Sequence, residues 1–165
     1  MSDSVRILTL GYGRWGAKVR GARMVEALRR AGVELLVDVR HSPCASNPDP
    51  AHHYGPRDWH VQPDGSGIVR LLGDAGVRYL WLVELGNPQK TAPGMKVLRQ
   101  HLADPGARWP VHRGLALLRR LVVDDRTRCC LMCACGTYDS CHRKVVAEAC
   151  RDLCRPLRVE LAEVV

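Results

Sequence analysis

Cys129-Cys130-Leu131-Met132-Cys133-Ala134-Cys135-Gly136-Thr137-Tyr138-Asp139-Ser140-Cys141-His142-Arg143-Lys144 is the stretch whose reading decides the fold. Its first six residues are an apolar run of strand length. Gly136 to Asp139 supply turn residues, and apolar positions from about Cys141 to Leu153 recur at helical spacing. A buried strand that passes into a helix after a short turn is half of a βαβ unit, so the spacing predicts a parallel sheet.

The same punctuation runs outward in both directions. Arg6–Leu10 reads as a first strand and residues 18–31 as a helix stopped by Gly32. Val33–Arg40 reads as a second strand, 66–75 as a helix closed by Gly76, and Val77–Leu85 as a third strand. Two helices follow at 94–103 and 109–123, separated by Pro105-Gly106, and Leu157–Leu161 closes the chain as a fifth strand. The order predicts a single three-layer α/β domain over residues 5–164. Its mostly parallel central sheet has about five strands, with helices on both faces. Residues 41–67 break the pattern: they form a long loop rich in Pro and His, of the kind used as a lid or binding segment.

Size and composition narrow the classes. A chain of 165 residues is most simply one domain with one core. No apolar run is long enough to span a bilayer, and Met1-Ser2-Asp3-Ser4-Val5-Arg6 carries no signal-peptide core, so a cytoplasmic location is expected. In that compartment eight cysteines read as free thiols, metal ligands or reactive groups rather than structural disulfides. The net charge of +8 comes mainly from arginine. It fits an arginine-biased composition equally with an anionic partner, a small phosphate-bearing ligand first. Nucleic acid as partner rests on net charge alone. The sequence shows no helix-turn-helix, zinc-finger spacing or aromatic stacking platform, and it does not reveal the oligomeric state.

In open parallel sheets ligands sit beyond the C-terminal ends of the strands. That rule gathers Tyr12 and Arg14 after strand one, and Asp38, Arg40 and His41 after strand two. It adds Glu84 and Asn87 after strand three, and Cys133, Cys135 and Cys141-His142-Arg143 after strand four. Gly11-x-Gly13-x-x-Gly16 has the letters of a dinucleotide fingerprint, but Asp38 is not cleanly placed as its acid. A cysteine at a helix N-terminus beside Arg143 is favoured as thiolate, and His142 falls on the face of Val146, Ala149, Cys150 and Leu153, so it points inward. The catalytic candidates are therefore Asp38, Cys141 and His142, and the anion-holding candidates are Tyr12, Arg14, Arg40, Glu84 and Arg143. A buried Asp38–Arg40 ion pair of purely structural value is the competing reading. No cofactor is expected, because Cys-x-Cys is not the usual metal knuckle. If zinc or an iron–sulfur cluster is bound, the ligands are Cys133, Cys135, Cys141 and His142. Cys150 and Cys154 read as packing residues.

Four signatures in order carry a family resemblance: Thr9-Leu10-Gly11-Tyr12; Leu36-Val37-Asp38-Val39-Arg40 with Pro43 beyond; Gly76-Val77-Arg78-Tyr79 with Glu84-Leu85-Gly86; and Leu131-Met132-Cys133-Ala134 with Cys141-His142-Arg143. Together they resemble a bacterial family known as domain of unknown function 488, over roughly residues 5–164. The resemblance implies one α/β domain with a site at the strand ends, and it brings no established reaction. Members often carry His at the place of Tyr12 and an acid, usually Glu, at the place of Cys135, so an acid/base role is not carried over.

Three functions fit the sequence. One is an enzyme acting on a phosphorylated or nucleotide-like anion at the strand ends. The second is a regulatory domain that binds an anion or nucleic acid there without chemistry. The third is a Cys/His metal-binding or thiol-redox protein.

Overall fold

Five strands form one sheet in the computed structural model, which describes residues 4–41, 61, 67–89 and 92–165. They are β1 (Ser4–Gly11), β2 (Leu35–Asp38), β3 (Arg78–Trp81), β4 (Cys129–Cys133) and β5 (Arg158–Glu163). The order across the sheet is β3-β2-β4-β1-β5 and every pairing is parallel. The helices are α1 (Arg20–Arg30), α2 (Ile68–Asp74), α3 (Lys96–Ala103), α4 (Pro110–Arg119) and α5 (His142–Leu153). The expected α/β domain, its strand count and its parallel sheet are all present.

Strand alternation divides the core into two layers. Cys129, Leu131 and Cys133 of β4 pack with Ile7, Val37, Leu98, Leu115, Val146 and Cys150, under α3, α4 and α5. Cys130 and Met132 pack with Leu10, Leu36, Met24, Leu28, Ile68 and Leu72, under α1 and α2. All five residues of β4 are buried because both faces are covered, which is why this strand reads as a continuous apolar run. Each fully buried leucine in these layers contributes about 1.5–3 kcal/mol. Helix α1 ends as the sequence predicts: Gly32 has a φ of +64°, the left-handed geometry that favours glycine after a helix.

Strand β2 is shorter than expected at both ends, and two further boundaries change the packing. β3 stops at Trp81, and Val83–Leu85 turns into a 3₁₀ segment that packs against α4 rather than extending the strand. α4 ends at Arg119 and passes into a π-type turn over Arg120–Asp124, closed by the Asp125 amide on the Arg120 carbonyl at 3.0 Å. Among the described residues no helix is long and apolar enough to cross a membrane.

The connections make the C-terminal end of β4 special. The helix after β4, α5, lies on one face of the sheet. The helices after its two neighbours, α1 after β1 and α2 after β2, lie on the other. Chains that leave adjacent strands toward opposite faces open a crevice between them, the place where ligands bind in doubly wound sheets.

Candidate metal centre at the end of β4

Cys133 is the last residue of β4. The chain then passes through Ala134 and Cys135, turns over Gly136–Ser140, and starts α5 with Cys141 as its N-cap residue. Cys141 has an extended conformation (φ −102°, ψ 142°), and its side chain makes no capping bond to the helix. Its thiol turns instead toward the strand end. The Sγ atoms of Cys133, Cys135 and Cys141 all lie within 4.8 Å of one another.

His142 completes the group. Its Nε2 stands 2.7 Å from the carbonyl oxygen of Val39, just beyond β2. A carbonyl only accepts, so Nε2 carries the proton and donates. In the neutral ring Nδ1 then holds the lone pair, and this atom faces Cys133 Sγ at 3.7 Å and Cys141 Sγ at 4.0 Å. Cys133 Sγ lies 3.8 Å from Cys135 Sγ. A tetrahedral ion with Zn–S of about 2.3 Å and Zn–N of about 2.0 Å has S···S and S···N edges of roughly 3.8 and 3.6 Å. The Cys133–Cys135 and Cys133–His142 separations match those edges, the Cys141–His142 separation is slightly longer, and Cys141 Sγ stands within 4.8 Å of the other two sulfurs. An Nε2–H held by a backbone carbonyl is also how metal-ligating histidines are commonly oriented.

The thiols behave as a unit. Hydrogen bonds from Cys133 and Cys141 hold the Cys135 thiol well below the ordinary range, with His142 and Arg143 adding positive potential. Cys141 is pushed up, chiefly by giving its proton to Cys133 and Cys135 and then by burial. Cys133 is pushed up for the same first reason, its bond to Cys135. The hydrogen bonds within the trio thus favour charge on Cys135 and oppose it on Cys133 and Cys141. Burial opposes charge on His142, but its bonds to Cys141 and to the Val39 carbonyl outweigh that and raise its pKa. The other described cysteines are buried packing thiols: burial pushes Cys129 up to about 12, and Cys130, Cys150 and Cys154 also upward.

Arg143 is fully buried and braces the turn from behind. Its Nη1 donates to the Cys135 carbonyl at 2.8 Å, its Nη2 to Glu163 at 2.9 Å, and its guanidinium lies 5.4 Å from the centre of the Tyr138 ring. Gly11 at the end of β1 leaves room for this. A Cβ there would stand 1.9 Å from the Cys135 oxygen and 2.7 Å from Arg143 Nη1.

Asp38 and Arg40 form a second polar group on the other side of β4. The Arg40 guanidinium meets Asp38 through Nη2 at 2.6 Å and Nε at 2.9 and 3.1 Å, and the Arg40 amide donates to the same carboxylate at 3.0 Å. Tyr79 donates to Asp38 at 2.6 Å, Arg40 Nη1 donates to the Tyr12 hydroxyl at 2.9 Å, and Trp81 Nε1 donates to the Arg40 carbonyl at 2.8 Å. Burial disfavours the Arg40 cation, but the Asp38 carboxylate more than restores it and raises its pKa. Burial first, and Asp38 next, raise Tyr79. Burial raises Tyr12 despite Arg40.

The structure thus brings Cys133, Cys135 and Cys141 into one group, with His142 set against Cys133 and Cys141, and Tyr12, Asp38 and Arg40 into another. Among the described residues Arg40 and Arg143 bond to different partners: one is tied into β2 and β3, the other into β5 and the turn before α5. Arg14 lies 3.5 Å from Glu163 and donates to the Val164 carbonyl at 3.3 Å. Glu84 pairs with Arg113 of α4 at 3.0 Å. On the face read for His142, Val146 and Cys150 are buried, whereas Leu153 is 48 % exposed. Pro43, Cys44, His52, His53 and His60 lie outside the described residues. Sequence reasoning missed Tyr79, Trp81, Glu163 and the Val39 carbonyl. Tyr79 and Trp81 sit inside a strand-like run, Glu163 lies two residues past the expected last strand, and a backbone carbonyl has no signature in side-chain chemistry.

Residues 57–150, more than half of the chain, match the family described as Domain of unknown function DUF488, and the protein belongs to that family. The match contains the two later signatures, around Tyr79 and around Cys133 to Arg143. The earlier two, around Gly11 and Asp38, lie outside it. Comparison with curated proteins and with solved structures finds no significant match.

Proposed function

We infer that the group at the end of β4 is a metal centre, and that this chain is a metal-binding α/β protein of the zinc-thiolate kind. Cys133, Cys135 and Cys141 are the sulfur ligands and His142 Nδ1 the nitrogen ligand. The observation that carries the reading is the orientation of His142. Its Nε2–H is committed to the Val39 carbonyl, which aims the Nδ1 lone pair at two thiols. Three soft sulfurs and one imidazole select zinc over magnesium or calcium, which take oxygen. Four protein ligands make a closed set, the pattern of a structural centre rather than of a hydrolase that keeps a position for water. The bound ion would tie β4, the turn and α5 together, and the Val39 contact would extend that tie to β2.

The arginine-based anion site receives less support. Arg40 is spent on Asp38 and Tyr12, and Arg143 on Glu163 and the Cys135 carbonyl, both well inside the fold. A ligand at Arg40 would have to displace the buried Asp38 carboxylate, and one at Arg143 the Glu163 carboxylate at the surface.

The test is metal analysis of protein purified in a reductant without chelator. About one zinc per chain is expected, lost on His142→Ala and on Cys133→Ser. Wild-type protein that stays metal-free after incubation with zinc and desalting would sink the reading.

A further inference from the structure

We propose that Cys135 is the entry point for oxidants at this cluster, and that peroxide oxidation of Cys135 closes a disulfide with the buried thiol of Cys133 or Cys141 behind it. The consequence, loss of the bound ion, rests on the metal-centre reading; the thiol chemistry does not.

The argument starts from an asymmetry within the trio. Cys133 is 4 % and Cys141 1 % exposed, whereas Cys135 is exposed to solvent. Cys129, Cys130, Cys150 and Cys154 are buried too, so among the described residues Cys135 is the one thiol that a dissolved oxidant can touch. It is not a loose surface thiol. Its carbonyl is pinned by Arg143 at 2.8 Å, with Gly11 closely packed beneath. This anchoring keeps its sulfur 3.8 Å from Cys133 Sγ and within 4.8 Å of Cys141 Sγ. An accessible thiol beside a resolving thiol is the arrangement that redox-sensing cysteines use.

The chemistry balances with hydrogen peroxide as the named oxidant. The Cys135 sulfur attacks one peroxide oxygen, the O–O bond breaks, hydroxide leaves and a sulfenic acid remains. The buried sulfur then attacks Cys135 Sγ; the S–S bond forms, the S–O bond breaks and a second hydroxide leaves. Two thiolates have lost two electrons, one peroxide has gained them, and the two hydroxides become water with protons from solvent. Two of the four donors are then gone, and one sulfur with one imidazole cannot keep a zinc ion enclosed.

The experiment uses the full chain with Cys44→Ser, reduced, in zinc-loaded and chelator-stripped forms. Each is treated with less than one equivalent of hydrogen peroxide. Remaining thiols are alkylated, bridges are mapped by mass spectrometry, and released zinc is read with a chromogenic chelator. A bridge that joins Cys135 to Cys133 or Cys141 is expected in both forms, with zinc released in step with it. With Cys135→Ser in addition, thiol loss should slow by about tenfold or more, as the buried thiols lack access. Bridges that leave Cys135 reduced, or unchanged oxidation of the Cys135→Ser protein, overturn the proposal. A chain that takes up no zinc but forms the Cys135 bridge sinks the metal reading and upholds this one. A chain that holds zinc but oxidises elsewhere does the reverse.

Discussion

Two polar groups stand at the same edge of the sheet, a few residues apart, and they are built on opposite principles. Around Asp38 and Arg40, donors meet acceptors: a carboxylate, a guanidinium, two tyrosines and an indole pair off at 2.6 to 3.1 Å. Around Cys133, Cys135 and Cys141, like meets like: three thiols lie within 4.8 Å of one another, joined by weak S–H contacts such as the 3.8 Å one between Cys133 and Cys135, with His142 Nδ1 facing two of them. A buried network of the first kind satisfies itself and holds strands in place. The second kind gains most from a cation placed among its lone pairs. The difference separates a structural polar group from a group that could hold a metal ion, without reference to any reaction.

Substitutions should break the two groups in different ways. Arg40→Ala leaves the Asp38 carboxylate buried and unpaired and is expected to cost about 3–5 kcal/mol of folding free energy. Urea titration reads that loss, and the fraction that folds should still bind zinc. A double change to Asp38→Leu and Arg40→Met should cost less than the single one, since no charge is stranded. Cys133→Ser should do the opposite. Its zinc affinity should fall by more than the roughly 10–100-fold typical of changes to groups that only orient a ligand, while metal-free stability shifts less than for Arg40→Ala. A Cys133→Ser protein with wild-type zinc affinity would erase the distinction.

Zinc itself gives a smaller effect of known size. At about 100 times its dissociation constant, free zinc should stabilise the wild-type chain by about 2.7 kcal/mol, and His142→Ala by much less. Thermal or urea unfolding across a zinc series measures this. Gly11→Ala tests the packing that supports the site. A Cβ 1.9 Å from the Cys135 carbonyl forces the turn to move, so a loss of about 1–3 kcal/mol is expected together with weaker zinc binding. Unchanged zinc affinity in that variant would show that the Cys135 turn is not held by its seat on β1.

The smallest effect lies at the far end of the β2–β4 seam and serves as a control. The backbone amide of Arg128 donates to Glu34 at 2.8 Å and holds its carboxyl below the ordinary range. A depressed carboxyl contributes stability above its unfolded pKa of about 4.3 and loses it as pH falls through the lowered folded value. Glu34→Gln should flatten the dependence of the urea midpoint on pH below about 4.5 without altering zinc content. A change in zinc content would mean that the two ends of the seam are coupled.

Much of the fold was legible in the sequence. Val33–Arg40 and Cys129–Ala134 are apolar runs of strand length, and they became the interior strands β2 and β4, buried because both faces of the sheet are covered. The third strand ended early because Leu85 turns into the core beneath α4 and Glu84 pairs with Arg113, contacts that no local pattern records. The pairing of Asp38 with Arg40 was legible too, since both lie at one strand end two residues apart. Its completion by Tyr79 was not. It depends on β2 and β3 lying side by side in a register that sets Asp38 against Trp81. The candidate metal centre was legible only as a set of names. The Cys-x-Cys spacing looked wrong for a knuckle because it describes a continuous loop. Here Cys133 and Cys135 flank the strand end, while Cys141 and His142 return to it from the helix start. The deciding contact, His142 to the Val39 carbonyl, joins residues 103 positions apart.

The central claim concerns the atoms around the ion, and X-ray absorption at the zinc edge reads them directly. Reduced, zinc-loaded protein should show a first shell of three sulfurs at about 2.3 Å and one nitrogen at about 2.0–2.1 Å, with the nitrogen exchanged for another light atom in His142→Ala. A shell of oxygen and nitrogen alone, or a wild-type shell that survives the loss of Cys133, would contradict the account.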